Sequence, residues 1–71
     1  MSYGLRLDPG DAVPLWKQLE EGLRRLVASG RLGRGSAVPS VREMAQTLQV
    51  NPSTVVRAYN TLVEAGVFEA R

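Results

Sequence analysis

Residues 51–61 read NPSTVVRAYNT. If they form a helix, Ser53, Thr54, Val56, Arg57, Asn60 and Thr61 fall outside the apolar stripe of Val55, Ala58, Tyr59, Leu62 and Val63. Hydroxyls and a carboxamide both donate and accept hydrogen bonds, so they suit a partner that presents mixed polar edges. A guanidinium adds bidentate contact to phosphate or to a guanine edge. Arg42 supplies a second cation. It falls near a helix start, where the dipole disfavours positive charge and an anionic partner would relieve it. This is recognition chemistry, not bond-making chemistry. The chain has no histidine and no cysteine, which excludes Ser-His and Cys-His nucleophiles and imidazole or thiolate metal sites. No carboxylate dyad is evident, and Asp8 and Asp11 lack the oxygen count of a calcium loop. Each recognition residue also has a plainer use. Arg57 can pair with Glu64 or Asn60, Ser53 and Thr54 can cap a helix, and Arg42 can be solvated.

The elements that would position these groups follow from punctuation and period. Pro14 suits the first turn of a helix, and Leu15, Leu19, Leu23, Leu26 and Val27 recur on one face with Trp16 beside them. Glu20, Glu21, Arg24 and Arg25 fall on the other side. Gly22, costly in mid-helix, points to a close helix contact, and Gly30 suits the C-terminal cap. Residues 30–39, GRLGRGSAVP, form a connector with room for a short strand near Ala37 and Val38. The spacing G-x-x-G-x-G lacks the strand and Gly-Lys context of a phosphate loop, so a turn is the reading. Ser40 and Glu43 make a capping box, followed by Val41, Met44, Ala45 and Leu48 as the inward face of a short helix.

Asn51 then caps, and Pro52 begins, a third helix that Gly66 ends. The proline therefore starts a helix and does not break one. Expected spans are about 14–29, 41–48 and 52–65. The last two helices, separated by Gln49–Asn51, make a helix-turn-helix, with Ala45 small where the helices approach and Val50 plugging the gap. The expected core is Leu19, Leu23, Leu26, Met44, Ala45, Leu48, Val50, Val55, Tyr59 and Leu62, with Trp16 in the core or at a subunit contact. VFEAR, 67–71, alternates as a strand does, and 1–13 is an N-terminal arm or short strand.

Seventy-one residues make one small domain, which buries only about 60% of its unfolded surface. The net charge is +2, carried by eight arginines and one lysine. No apolar run nears the roughly 18 residues that span a membrane, and the N-terminus lacks a signal-peptide core, so a cytoplasmic protein is expected. Two function classes fit: a DNA-binding transcription factor domain, or a winged-helix module for protein contacts. A salt-dependent DNA titration separates them.

The segments VPLWKQLEEGL (13–23), GRLGRGSAVPSVREMAQTLQV (30–50) and NPSTVVRAYNTLVEAGVF (51–68) together resemble the DNA-binding domain of GntR-type transcriptional regulators, most closely the short YtrA-like branch. The resemblance implies a mainly α winged helix-turn-helix over 14–71: three helices with a small, truncated β-wing. It implies double-stranded DNA as partner, a palindromic operator, a homodimer in the full-length protein, and no cofactor. By position it implies DNA contact from Arg42, Ser53, Thr54 and Arg57, and a backbone approach of the wing at Gly66. Where many members carry arginine, this chain has Pro52 and Val56. Val56 on a polar face suits a thymine methyl as well as it suits plain exposure. The turn residue, often glycine in the family, is Gln49, where a positive φ would cost on the order of 1–2 kcal/mol. The second wing strand would lie beyond Arg71, so the chain reads as a DNA-binding domain without its effector half. Its open sheet edge is expected to fray or pair with another copy, and its DNA affinity to fall below that of a longer chain.

Overall fold

A computed structural model describes residues 4–32 and 38–68. Within them the order is α1 (Leu15–Ala28), α2 (Val41–Leu48) and α3 (Pro52–Glu64). The third helix packs against both of the others, while the backbones of α1 and α2 stay more than 8 Å apart, Cα to Cα. Leu19, Leu23 and Leu26 of α1 meet Met44 and Ala45 of α2 and Val55, Ala58 and Leu62 of α3 in one buried cluster. Leu32, just after α1, completes it and was absent from the expected core. Leu48, Val50 and Tyr59 pack against this cluster but are only half-buried.

Local chemistry fixes the helix ends. Pro14 stands just outside α1, with its carbonyl accepting from Lys17 and Gln18 (3.0 Å each), so it serves as the cap residue and not as the first helical one. The box at α2 is complete: the Ser40 hydroxyl accepts from the Glu43 amide (3.1 Å), and Glu43 accepts from the Ser40 amide (3.2 Å). At α3 the Asn51 carboxamide oxygen accepts from the Ser53 amide (2.9 Å), and Pro52 occupies the first turn.

The turn between α2 and α3 carries backbone strain. Gln49 has φ 58° and ψ 47°, the left-handed conformation that glycine adopts freely. Its amide donates to Gln46 (3.3 Å) and that of Val50 to Ala45 (3.0 Å), the paired bonds of a Schellman terminus. Gly66 closes α3 in the same way, at φ 77°. Here the Gly66 amide donates to Val63 (3.0 Å) and the Val67 amide to Leu62 (2.9 Å).

The described residues before α1 form no strand. Gln18 ties them down: its carboxamide accepts from the Asp8 amide (2.8 Å) and donates to the carbonyls of Asp8 (2.9 Å) and Val13 (2.7 Å). Gly22 serves that arm and not a helix contact, since a Cβ there would lie 2.6 Å from Leu5 Cδ2. Glu20 is not on a solvated face; it is 2% exposed. The expected strands at 37–38 and 67–71 fall largely outside the described residues. Of the described part, Val38, Val67 and Phe68 are not in a strand, and the amides of Val67 and Phe68 both donate to the Leu62 carbonyl. Tyr59 then anchors the chain on both sides of the last two helices. Its hydroxyl donates to the Pro39 carbonyl (2.7 Å), and its ring meets Phe68 edge-on at 5.6 Å.

Candidate nucleic-acid interface

Burial of Val55, Ala58 and Leu62 fixes the rotation of α3 and so decides which residues it presents. Ser53, Val56, Arg57 and Asn60 are all exposed, at the i, i+3, i+4, i+7 spacing that makes one continuous face. Thr54 and Thr61 border it, half-buried. Val56 is 42% exposed, an isolated apolar group among polar ones. Ser53 is engaged in the cap: its hydroxyl donates to Asn51 (2.9 Å), which leaves the oxygen free to accept from an outside donor. The Thr61 hydroxyl donates back to the Arg57 carbonyl (2.9 Å).

Arg42 stands exposed in the first turn of α2. The structure therefore gathers four of the polar-face residues on α3, puts Arg42 on the neighbouring helix, and sets Gly66 apart at the far end. Gly66 lies thirteen positions after Ser53, about 20 Å along the helix axis.

The charges on this surface are not neutralised from within. Residues 51–63 contain no acid, and Glu64 lies at the distal end of α3. Glu43 turns its carboxylate back onto the Ser40 amide. Among the described residues, neither Arg42 nor Arg57 makes a side-chain hydrogen bond or an ion pair. Arg57 does not pair with Glu64 or Asn60. Instead its Cζ lies 4.3 Å from the centroid of the Trp16 ring. Nothing in the sequence spacing announces that contact, because α1 and α3 are brought together only by packing of the leucine stripe.

On α1 the opposite arrangement holds. Glu20 accepts from Arg24 one turn on and pairs with Lys17 at 3.5 Å. The hydrogen bond from Arg24 holds the Glu20 carboxyl below its ordinary value of 4.5 against the opposing effect of burial, and the charges of Arg24 and Lys17 act in the same lowering direction. No cluster of three metal-ligating side chains occurs among the described residues, and no described helix is long and apolar enough to cross a membrane.

A capped short helix, a tight left-handed turn and a second helix with an acid-free polar face define a helix-turn-helix domain. Comparison with known proteins gives its family. Residues 15–71 match the family of bacterial regulatory proteins of the gntR type. The chain is 34% identical over 65 residues to the HTH-type transcriptional repressor YtrA of Bacillus subtilis, covering 92% of this chain and 50% of that protein. It is 39% identical over 67 residues to the HTH-type transcriptional regulator Rv1152 of Mycobacterium tuberculosis, covering 94% of this chain and 55% of that one. Among solved structures, YtrA from Sulfolobus acidocaldarius, a GntR-family transcription factor, superposes with a TM-score of 0.84 at 40% identity, over 87% of this chain and 66% of that one. The chain belongs to the gntR family and is a helix-turn-helix DNA-binding domain of its transcriptional regulators. It spans about half the length of these two curated relatives.

Proposed function

We propose that the exposed face of α3 reads a double-stranded operator in the major groove, with Arg42 contacting DNA from the start of α2. The observation that carries this reading is the face itself: Ser53, Val56, Arg57 and Asn60 in one row, with Arg57 and the Arg42 of α2 in no ion pair with an acid among the described residues. Arg57 suits a guanine edge or a phosphate, the Thr54 hydroxyl suits a phosphate oxygen, and the Ser53 hydroxyl oxygen, its proton given to Asn51, suits a donor on a base edge. Val56 meets a thymine methyl, the apolar feature of that groove. Gly66, with no side chain, lets the segment after α3 pass close to the DNA backbone.

The domain works as one half of a homodimer on a palindromic site, its two recognition helices about 34–36 Å apart. It acts in the cytoplasm, needs no cofactor and performs no catalysis of its own. Selection of duplexes from a randomised pool by the chain, followed by sequencing, tests this: one recurrent half-site is expected. Recovery of no enriched sequence would refute the reading of α3 as a sequence-specific helix.

A further inference from the structure

We infer that Trp16, on α1, is a positioning residue for DNA recognition: its ring holds the Arg57 guanidinium in place on the exposed face of α3. The inference rests on the reading of α3 as the DNA-facing helix. Arg57 Cζ lies 4.3 Å from the ring centroid, well inside cation–π range, although the two residues sit on different helices.

The ring offers its π face to the cation and no hydrogen-bond acceptor. The five N–H donors of Arg57 make no hydrogen bond among the described residues. An arginine held this way keeps its charge and its donors while losing rotamer freedom before any partner arrives. Binding then avoids part of the ordering cost of a long side chain.

A second cation lies near the ring: Lys17 Nζ is 5.9 Å from the same centroid. Lys17 is paired with Glu20 at 3.5 Å, so its charge is offset. Arg57 is left as the uncompensated cation at this ring. The first turn of α1, which carries no base-reading groups in the proposed complex, thus sets the geometry of one that does.

The test has two arms on the 71-residue chain. In the free chain, the δ protons of Arg57 should be shifted upfield in NMR spectra by the Trp16 ring current. Trp16→Leu should abolish that shift and Trp16→Tyr retain part of it. The second arm uses a duplex selected from a randomised pool by the wild-type chain. Trp16→Leu should weaken binding about two- to fivefold, with Trp16→Tyr recovering most of the loss. In an Arg57→Ala background, Trp16→Leu should change nothing. Circular dichroism of each variant verifies that the helices remain.

Ordinary Arg57 shifts in the free chain would overturn the inference. So would a Trp16→Leu penalty of equal size in both backgrounds, because that is what a purely structural tryptophan would give. Failure of the wild-type chain to bind any duplex overturns the DNA-facing reading and this inference together. Binding without coupling overturns this inference alone.

Discussion

Arg24 and Arg57 are both exposed arginines on helices that pack against each other, yet they lean on different groups. Arg24 donates to the buried carboxylate of Glu20, and its charge and part of its donor set are spent inside the domain. Arg57 has its Cζ over an indole, a contact that offsets no charge and leaves its donors without a hydrogen bond among the described residues. The same residue type is thus a structural tie on α1 and an open cation on α3. The partner a cation rests on, and not the count of cations, marks the surface suited to an anion. This is why a net charge of only +2 is compatible with DNA binding.

The comparison breaks most readily at the arginines. Arg57→Ala and Arg42→Ala should each weaken binding to a selected duplex by about 1–3 kcal/mol, whereas Arg24→Ala should leave it nearly unchanged. Fluorescence anisotropy measures all three. Equal losses from Arg24→Ala and Arg57→Ala would erase the distinction.

Stability should respond in the reverse order. Glu20→Gln removes the negative charge that ties Arg24 and Lys17, and should cost on the order of 1 kcal/mol at pH 7 in urea unfolding. The sign with pH follows from the direction of the shift. The Glu20 carboxyl sits lower in the folded chain than its ordinary 4.5. Its contribution is therefore complete above about that pH and is lost as pH falls through the folded value. The gap between wild type and Glu20→Gln should narrow at pH 3. A gap that widens there would contradict the assignment.

The two helix termini give a related test. Gly66 and Gln49 occupy equivalent left-handed positions, but only the second carries a side chain. Gln49→Gly should raise stability by up to about 1 kcal/mol, since the strain relieved exceeds the entropy that glycine adds to the unfolded chain. A loss of stability would mean that the Gln49 side chain contributes more than its backbone costs.

The smallest effect is expected at Val56. Val56→Ser should cost a fraction of 1 kcal/mol in affinity but remove a preference for thymine at one position of the selected half-site. An identical selected sequence would leave Val56 as a plain surface residue.

Most of the fold was legible because it is written in local rules. The capping box at Ser40, the Asn51-Pro52 start, the glycine at 66 and the apolar period of each helix all act within a few residues. What could not be read depends on which helices meet. Glu20 has the period of a solvated position, yet its own helix neighbours Arg24 and Lys17 reach it and it is buried. Gly22 signals a close approach, but only the three-dimensional arrangement shows that Leu5 makes it. The polar face of α3 was visible as a pattern, whereas the Trp16 ring beneath Arg57 was not, because the two residues are 41 positions apart.

The central claim is that the α2–α3 surface meets DNA through Arg42 and Arg57, cations in no ion pair among the described residues. The most direct measurement is the salt dependence of duplex binding by the wild-type chain and by Arg42→Ala/Arg57→Ala. The wild-type affinity should fall linearly with salt on logarithmic axes, and the double variant should bind more weakly with a slope shallower by about two. Binding that ignores salt in the wild type, or a slope unchanged in the double variant, would contradict the account.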